Sequence, residues 1–153
     1  MKLNVVIPTY NRAESLKKTL RSLADARLPA NFEVVVTIVN NNSTDTTEAA
    51  FEEMRPRFRD KTLEYLFEEK QGRSFALNSG IRRADGDLLT TVDDDIRVAE
   101  NWFVEIEKIF GTRWLELDFV GGKMLPEWEA EPPAWVEPLK DGAIGWRDYG
   151  EEE

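Results

Sequence analysis

A chain of 153 residues with 30 acidic and 20 basic side chains has a net charge of -10, and it contains neither cysteine nor histidine. This composition excludes disulfides, thiolate chemistry and imidazole bases, so any metal must be held by oxygen, which favours Mg²⁺, Mn²⁺ or Ca²⁺. A general base must then be Asp, Glu, Lys or Tyr. The negative charge argues against a nucleic-acid polymer as partner. We expect no transmembrane segment, because no apolar run approaches the roughly 20 residues that span a bilayer.

The N-terminal segment predicts a strand followed by a helix. Residues 3–7 form a continuous apolar run that Pro8 interrupts. Asn11 and Glu14 have the spacing of a capping box, which predicts a helix start at Asn11. The buried face of this helix is expected to carry Leu16, Leu20 and Leu23.

A second strand is expected over residues 32–39, where β-branched residues dominate. It ends in a polar turn whose Ser43 or Thr44 is positioned to cap the next helix. Five apolar residues are predicted to form the buried stripe of that helix: Ala49, Ala50, Phe51, Met54 and Phe58.

The middle of the chain continues the alternation of strand and helix. A third strand is expected over residues 63–67, with one face half exposed, and a short helix over 75–81. A buried strand over 88–92 and a helix over 99–110 follow, the helix with Trp102, Phe103, Ile106, Ile109 and Phe110 inward. Residues 115–120 are predicted to form a fifth strand.

This alternation predicts an α/β fold: a mainly parallel sheet flanked by helices. We assign residues 1–125 to this domain and residues 126–153, rich in Pro and Trp, to an irregular extension. The loops after the strands ending at Ile7, Val39, Phe67 and Val92 are expected at one edge of the sheet, where open α/β sheets bind ligands.

The strand over 88–92 ends in three consecutive carboxylates, Asp93, Asp94 and Asp95, hereafter the acid triplet. Like charges so close repel one another unless a cation lies among them. A solvated acidic turn is the ordinary alternative for such a run, and from the run alone the two interpretations have about equal weight. The shared edge with the other strand ends favours a metal site.

Four segments together resemble family 2 glycosyltransferases of the GT-A fold, a Rossmann-related fold. They are Val5 to Arg12, Val39 to Thr47, Gly72 to Gly80, and Val92 to Asp95, the last similar to the metal-binding Asp-x-Asp motif; Val120-Gly121-Gly122 also fits. The resemblance covers residues 3 to 98. It implies a single GT-A-like domain that binds a nucleotide-diphosphate sugar together with Mn²⁺ or Mg²⁺.

The resemblance also implies roles for individual residues. Asp95 is expected to coordinate the metal, and Asp93 to contact either the ribose or the metal through water. Asp94 competes for either role. Thr9, Tyr10 and Arg12 are expected beside the base and ribose.

Further donor contacts are implied on the second and third loops. Asn40 stands where the family commonly has an Asp that binds uracil, so base preference is open, although UDP-sugars are favoured. Arg73 is the expected diphosphate partner through its bidentate guanidinium. Asn78 and Gly80 are expected near the sugar, in structural roles.

The acceptor side is the main departure from the family pattern. No segment matches the carboxylate base that family members carry in a longer C-terminal half; Glu129 and Asp148 are weak candidates. The resemblance as a whole implies an inverting, metal-dependent glycosyltransferase domain acting on a sugar, lipid-linked or other hydroxyl acceptor. The expected location is cytoplasmic, with peripheral membrane attachment as an option.

Three alternatives accompany this expectation. A truncated module that binds the donor without efficient transfer is the first. A phosphoacceptor receiver domain would need acids at the end of the first strand, where Pro8, Thr9 and Tyr10 stand. A purely structural α/β module leaves the acid triplet unexplained.

Overall fold

A computed structural model of the chain describes residues 1–113, 116–128 and 130–139. The chain divides into two compact units, Met1–Trp114 and Leu115–Glu153. The boundary predicted after residue 125 lies inside the second unit.

The first unit alternates four strands with four helices. The strands are β1 (Lys2–Thr9), β2 (Glu33–Asn40), β3 (Thr62–Phe67) and β4 (Leu88–Thr91). The helices are α1 (Ala13–Asp25), α2 (Thr47–Met54), α3 (Arg73–Arg83) and α4 (Trp102–Arg113), with a 3-10 turn at Arg55–Arg57. In the second unit the described residues contain one 3-10 turn, Ala134–Leu139.

All strand pairs in the sheet are parallel, and the strand order is β3-β2-β1-β4. Thr9 is paired with Asn40, and Asn40 with Phe67. The carboxyl ends of these strands therefore lie together at one edge of the sheet. The predicted mainly parallel α/β fold is confirmed.

Helices cover both faces of the sheet. One face packs into a large apolar cluster with Leu16, Leu20 and Leu23 of α1, Phe51 and Met54 of α2, and Phe103 of α4. On the other face, Val6 and Val39 pack against Ala76 of α3. A Cβ atom on Gly80 would lie 2.3 Å from Cγ1 of Val6, so only glycine lets α3 approach β1 this closely.

The predicted N-cap of α1 is wrong by one residue, because Arg12 and not Asn11 occupies that position. Asn11 has a φ of 52° and α1 begins at Ala13. The Oδ1 atom of Asn11 accepts hydrogen bonds from the backbone N–H groups of Thr44 (2.7 Å) and Asp45 (3.3 Å). Its side chain therefore joins two loops instead of capping its own helix.

Asp45, which precedes the N-cap residue Thr46, bonds to the first N–H of the next helix, and neither Ser43 nor Thr44 caps that helix. Its Oδ1 accepts from the backbone N–H of Thr47, and its Oδ2 accepts from that of Ala13, each at 3.0 Å. One carboxylate thus satisfies the first turns of both α1 and α2. Ser43 instead accepts a hydrogen bond from the backbone N–H of Asn11.

Two smaller predictions also fail. Residues 116–120 form no strand, and Leu115 lies outside the described residues. Phe119 is 85% exposed, so the segment has no buried face to favour a strand. On α2, Ala49 is exposed, although the other four residues of the predicted stripe are buried.

In the part of the chain that the structure describes, no helix is both long enough and apolar enough to cross a membrane.

Candidate functional site

A cavity of about 340 Å³ opens at the carboxyl edge of the sheet. Its walls come from three of the loops that follow strands and from the first residue of α3. The lining residues are Pro8, Thr9, Tyr10, Arg12, Asn41, Arg73, Asp93, Asp94 and Asp95. The structure therefore brings the acid triplet together with four residues that are predicted to bind the donor: Thr9, Tyr10, Arg12 and Arg73.

Asp94 is the buried member of the acid triplet. It is 6% exposed, and its Oδ2 accepts a hydrogen bond from the Thr9 hydroxyl at 2.8 Å. Its other oxygen lies 3.3 Å from Nη1 of Arg12. These contacts tie the end of β1 to the loop after β4. Asp94 is thus oriented by the fold on both of its oxygens.

Asp93 and Asp95 point toward solvent and pair with arginines. Asp93 accepts from Nη2 of Arg73 at 2.6 Å, and Asp95 from Nη1 of Arg12 at 2.8 Å. The hydrogen bond to Asp95, joined by contact with Asp94, raises the pKa of Arg12. At least half of the side chain is exposed in each member of these two pairs: Arg12, Asp95, Arg73 and Asp93. These surface ion pairs contribute little to stability and can exchange for a ligand.

Tyr10 is 47% exposed and lines the cavity. An aromatic ring presented in this way offers a flat apolar surface against which a planar ring can pack.

Asn40 lies behind the cavity wall. It is 4% exposed, its amide donates to the Tyr65 hydroxyl at 2.6 Å, and its carbonyl accepts from the Ser43 N–H at 2.9 Å. Asn40, which is predicted to contact the donor, is therefore not one of the residues that line the cavity.

Asn41, which the sequence analysis passed over, lines the cavity and connects two loops. Its amide donates to the carbonyls of Glu68 and Lys70, and its Oδ1 accepts from the Gly72 N–H. The signal in the sequence was present: an amide following β2 has both donors and an acceptor for a neighbouring loop.

The remaining predicted site residues lie elsewhere. Asn78 is exposed on α3 and does not line the cavity. Glu129 and Asp148, the candidate bases, lie outside the described residues, and their roles stay predictions.

The acid triplet fits a hard divalent cation by the chemistry of its donor atoms. Its members offer only carboxylate oxygens, which Mg²⁺ and Mn²⁺ prefer. Within the described residues, no three acidic side chains converge into a ready-made metal cage. Such a cation commonly uses one or two carboxylates and completes its shell with substrate phosphates and water, so two exposed carboxylates beside a cavity suit it.

A model of the family described as Glycosyl transferase family 2 matches residues 4–111. The chain belongs to this family. Glycosyltransferase AglE of Haloferax volcanii is 32% identical over 125 residues, which are 80% of this chain and 39% of that protein. Validoxylamine A glucosyltransferase of Streptomyces hygroscopicus subsp. limoneus is 40% identical over 97 residues, 61% of this chain and 20% of that protein. The chain thus spans well under half the length of these relatives.

Two solved structures share the fold. TarS 1-349 of S. aureus in complex with UDP aligns with a TM-score of 0.65 at 28% identity, covering 74% of this chain and 33% of that one. Mannosyltransferase PcManGT of Pyrobaculum calidifontis, in complex with GDP-Man and Mn²⁺, aligns with a TM-score of 0.60 at 29% identity, covering 78% and 33%. The GT-A fold expected from the sequence is confirmed.

Proposed function

We propose that this chain is the donor-binding part of a metal-dependent, inverting glycosyltransferase that takes its sugar from a nucleotide diphosphate. The observation that carries the proposal is the cavity itself. Two arginines and three aspartates converge there at the carboxyl edge of a parallel sheet, in a member of a glycosyltransferase family. Cationic side chains for a diphosphate and carboxylates for a cation are the two needs of such a donor.

The diphosphate would lie between Arg73 and the acid triplet. Arg73, the first residue of α3, is half exposed, so its guanidinium can leave Asp93 and bind phosphate oxygens through two parallel hydrogen bonds. Asp95 and Asp93 would hold Mn²⁺ or Mg²⁺, with Asp94 as the alternative ligand. A cation bound there supplies Lewis-acid neutralisation of the charge on the departing diphosphate.

The nucleoside would pack beside Thr9, Tyr10 and Arg12. Tyr10 offers its exposed ring to the base, and Arg12 lies near enough to the acid triplet to face a ribose or phosphate. TarS is described with UDP and PcManGT with GDP-Man, so either base is compatible with this fold. We propose a UDP-sugar as the donor. Asn40 and Asn78 stay predicted donor-binding residues, although neither lines the cavity.

Transfer would proceed by in-line attack of an acceptor hydroxyl on the anomeric carbon. The new bond forms from the hydroxyl oxygen as the bond to the diphosphate oxygen breaks, and a carboxylate base takes the hydroxyl proton. Glu129 and Asp148 remain the candidates for that base. We propose residues 126–153 as the start of the acceptor-side region, for a sugar, lipid-linked or other hydroxyl acceptor.

The second candidate function is donor binding without efficient transfer. Among the described residues that line the cavity, the carboxylates are those of the acid triplet, which we assign to the donor side. A positioned base contributes about 10²- to 10⁴-fold in rate, so a chain without one would bind donor and transfer slowly. The proposed setting is the cytoplasm, with peripheral attachment to a membrane where the acceptor is lipid-linked.

A thermal-shift panel tests the donor site. UDP, GDP, ADP and CDP are added without a divalent cation, with Mn²⁺ and with Mg²⁺, and a ligand specific for the folded state raises the melting temperature by mass action. We expect stabilisation by UDP that depends on Mn²⁺. The absence of a shift with every nucleotide and either cation would contradict the proposed function.

Transfer is measured separately, with the nucleotide-sugars that bind and with simple hydroxyl acceptors. We expect slow transfer or none. Turnover near about 1 s⁻¹ or above would show that a base is present in this chain.

A further inference from the structure

We infer that Asn41 is a positioning residue for the donor diphosphate, acting through Arg73. This inference rests on the proposed function. It adds a residue whose side-chain hydrogen bonds go to the loop that precedes Arg73. Asn41 follows the last residue of β2 and is 3% exposed. Its backbone N–H donates to the Thr9 carbonyl at 2.9 Å, which extends the pairing of β1 with β2 by one step. The backbone of Asn41 is therefore held against the end of β1.

The side chain of Asn41 makes three hydrogen bonds to one loop. Its Nδ2 atom donates to the carbonyls of Lys70 (2.6 Å) and Glu68 (3.2 Å), and its Oδ1 accepts from the Gly72 N–H at 2.7 Å. A primary amide has two N–H donors, and both are used here. The three contacts hold residues 68–72, the connection between β3 and α3, against the end of β2.

The loop that Asn41 holds determines where α3 begins. Gly72 has a φ of 138°, a conformation that favours glycine, and its carbonyl accepts from the N–H groups of Phe75 and Ala76. Arg73 is the next residue, the first of α3. A shift of Gly72 would therefore move the backbone from which the Arg73 guanidinium reaches Asp93.

Long exposed side chains gain binding strength when their backbone is fixed, because less conformational freedom is lost on binding. The Arg73 side chain is 61% exposed. We propose that the hydrogen bonds of Asn41 supply this preorganisation, and that they matter for the diphosphate and little for the nucleoside.

The substitution Asn41→Asp is the sharpest test. A carboxylate has nearly the shape of the amide and still accepts from Gly72, but it cannot donate to Glu68 and Lys70 and repels their carbonyl oxygens. Asn42→Asp is the matched control, because it makes the same charge change at the neighbouring residue, which is exposed and does not line the cavity. Asn41→Ala is a second variant that adds no charge.

Binding of UDP and of uridine is measured by calorimetry in the presence of Mn²⁺ for each variant. We expect Asn41→Asp to weaken UDP binding about tenfold, the scale of one charge-assisted contact, and to change uridine binding less than about twofold. Asn42→Asp should leave both affinities within about twofold. Faster hydrogen exchange at the Gly72 amide in the Asn41 variants should accompany the loss.

A double-mutant cycle with Arg73→Ala decides whether Asn41 acts through Arg73. We expect each Asn41 substitution to have little further effect on UDP binding once Arg73 is absent. Additive losses, or equal losses for UDP and uridine, would overturn the positioning role while leaving the donor site intact. A parent chain that binds no nucleoside diphosphate would overturn the proposed function and this role together.

Discussion

The loop after β2 and the acid triplet after β4 lie at the same edge of the sheet, yet their polar side chains are used in opposite ways. The β2 loop is defined here as residues 40–46, the last residue of β2 and the turn that follows it. Asn40 bonds to Tyr65 of β3, Asn41 to the loop before α3, and Asp45 to the start of α1. In the acid triplet, Asp93 and Asp95 bond to exposed arginine side chains. The first set forms part of the scaffold, and the second presents charges that a ligand can take over.

For Asn40 and Asn41 the difference follows from burial, whereas Asp45 is exposed and belongs to the scaffold because it bonds to backbone N–H groups at the starts of two helices. Breaking a buried hydrogen bond leaves a desolvated polar group and costs about 1–3 kcal/mol, whereas an exposed ion pair is worth about 0–1 kcal/mol. A binding site needs both: fixed geometry from the first kind of contact and exchangeable charge from the second. Asp94 combines the two, because it is buried and also touches Arg12. Substitutions in the β2 loop should therefore act through stability or through the position of the segments that the loop holds, and substitutions in the acid triplet should change binding directly.

The largest effect on stability is expected from Asp45→Ala. This substitution removes the acceptors for the first turns of both α1 and α2, and each lost helix cap costs about 1 kcal/mol, so unfolding should become easier by about 2 kcal/mol. Urea denaturation followed by circular dichroism measures the change. Asp25→Ala, at the end of α1, is the control and should stay within about 0.5 kcal/mol. An equal effect of both substitutions would contradict the capping role.

The acid triplet is tested next with Asp95→Asn. We expect metal-dependent UDP binding to weaken about tenfold or more, with a free energy of unfolding changed by less than about 0.5 kcal/mol. Calorimetry with Mn²⁺ and UDP gives the affinity. Glu52→Gln, an exposed acid on α2, serves as the control for the loss of one negative charge. Unchanged affinity for the metal and nucleotide pair would show that Asp95 is not a ligand.

Arg73→Gln should move two affinities in opposite directions. UDP binding should weaken because the phosphate loses its guanidinium partner, while Mn²⁺ alone should bind about two- to fivefold more tightly. The gain arises because Asp93 is no longer paired with a competing cation, and an exposed pair is worth up to about 1 kcal/mol. Titration of Mn²⁺ in the absence of nucleotide is the measurement. Arg83→Gln, which breaks the exposed pair with Glu64, is the control. Weaker Mn²⁺ binding in Arg73→Gln would contradict the pairing of Asp93 with Arg73.

The smallest effect is the pH dependence of Asp45. Burial opposes its ionisation, but hydrogen bonds from the Thr47 side chain and from the backbone of Ala13 and Thr47 outweigh burial and lower its pKa. A lowered pKa means that the stabilisation by Asp45 is complete above the pKa of the unfolded chain, about 3.9, and is lost as the pH falls through the folded value.

Asp45→Asn tests this dependence. We expect the parent chain to be more stable than the variant at pH 6, with the difference shrinking as the pH is lowered below about 4. Urea denaturation at pH 6, 4 and 3 gives the comparison. A difference that is independent of pH would show that the charge of Asp45 does not contribute.

The sequence by itself determined the architecture and the location of the site. The alternation of strands and helices along the chain predicted a mainly parallel sheet. Continuous apolar runs for the buried strands and a period of 3.6 for the helices specify these elements locally. The positions of Asp93, Asp94 and Asp95 at a strand end, and of Tyr10, Arg12 and Arg73 in other loops, were sufficient to predict a shared edge. Leu16, Leu20 and Leu23 were buried as their spacing predicts.

The tertiary structure decided which polar side chain bonds to which partner. Asn11 looked like a cap from its neighbours in sequence, but its partner Thr44 comes from another loop. The side chain of Asn40 bonds to Tyr65 of β3, a partner that the sequence did not indicate. Asp45 caps α1 across 32 residues of chain, and Asn41 holds Gly72 across 31. Apolar burial is read from a local period, whereas a hydrogen bond depends on distances of a few tenths of an ångström between segments that only the packed sheet brings together.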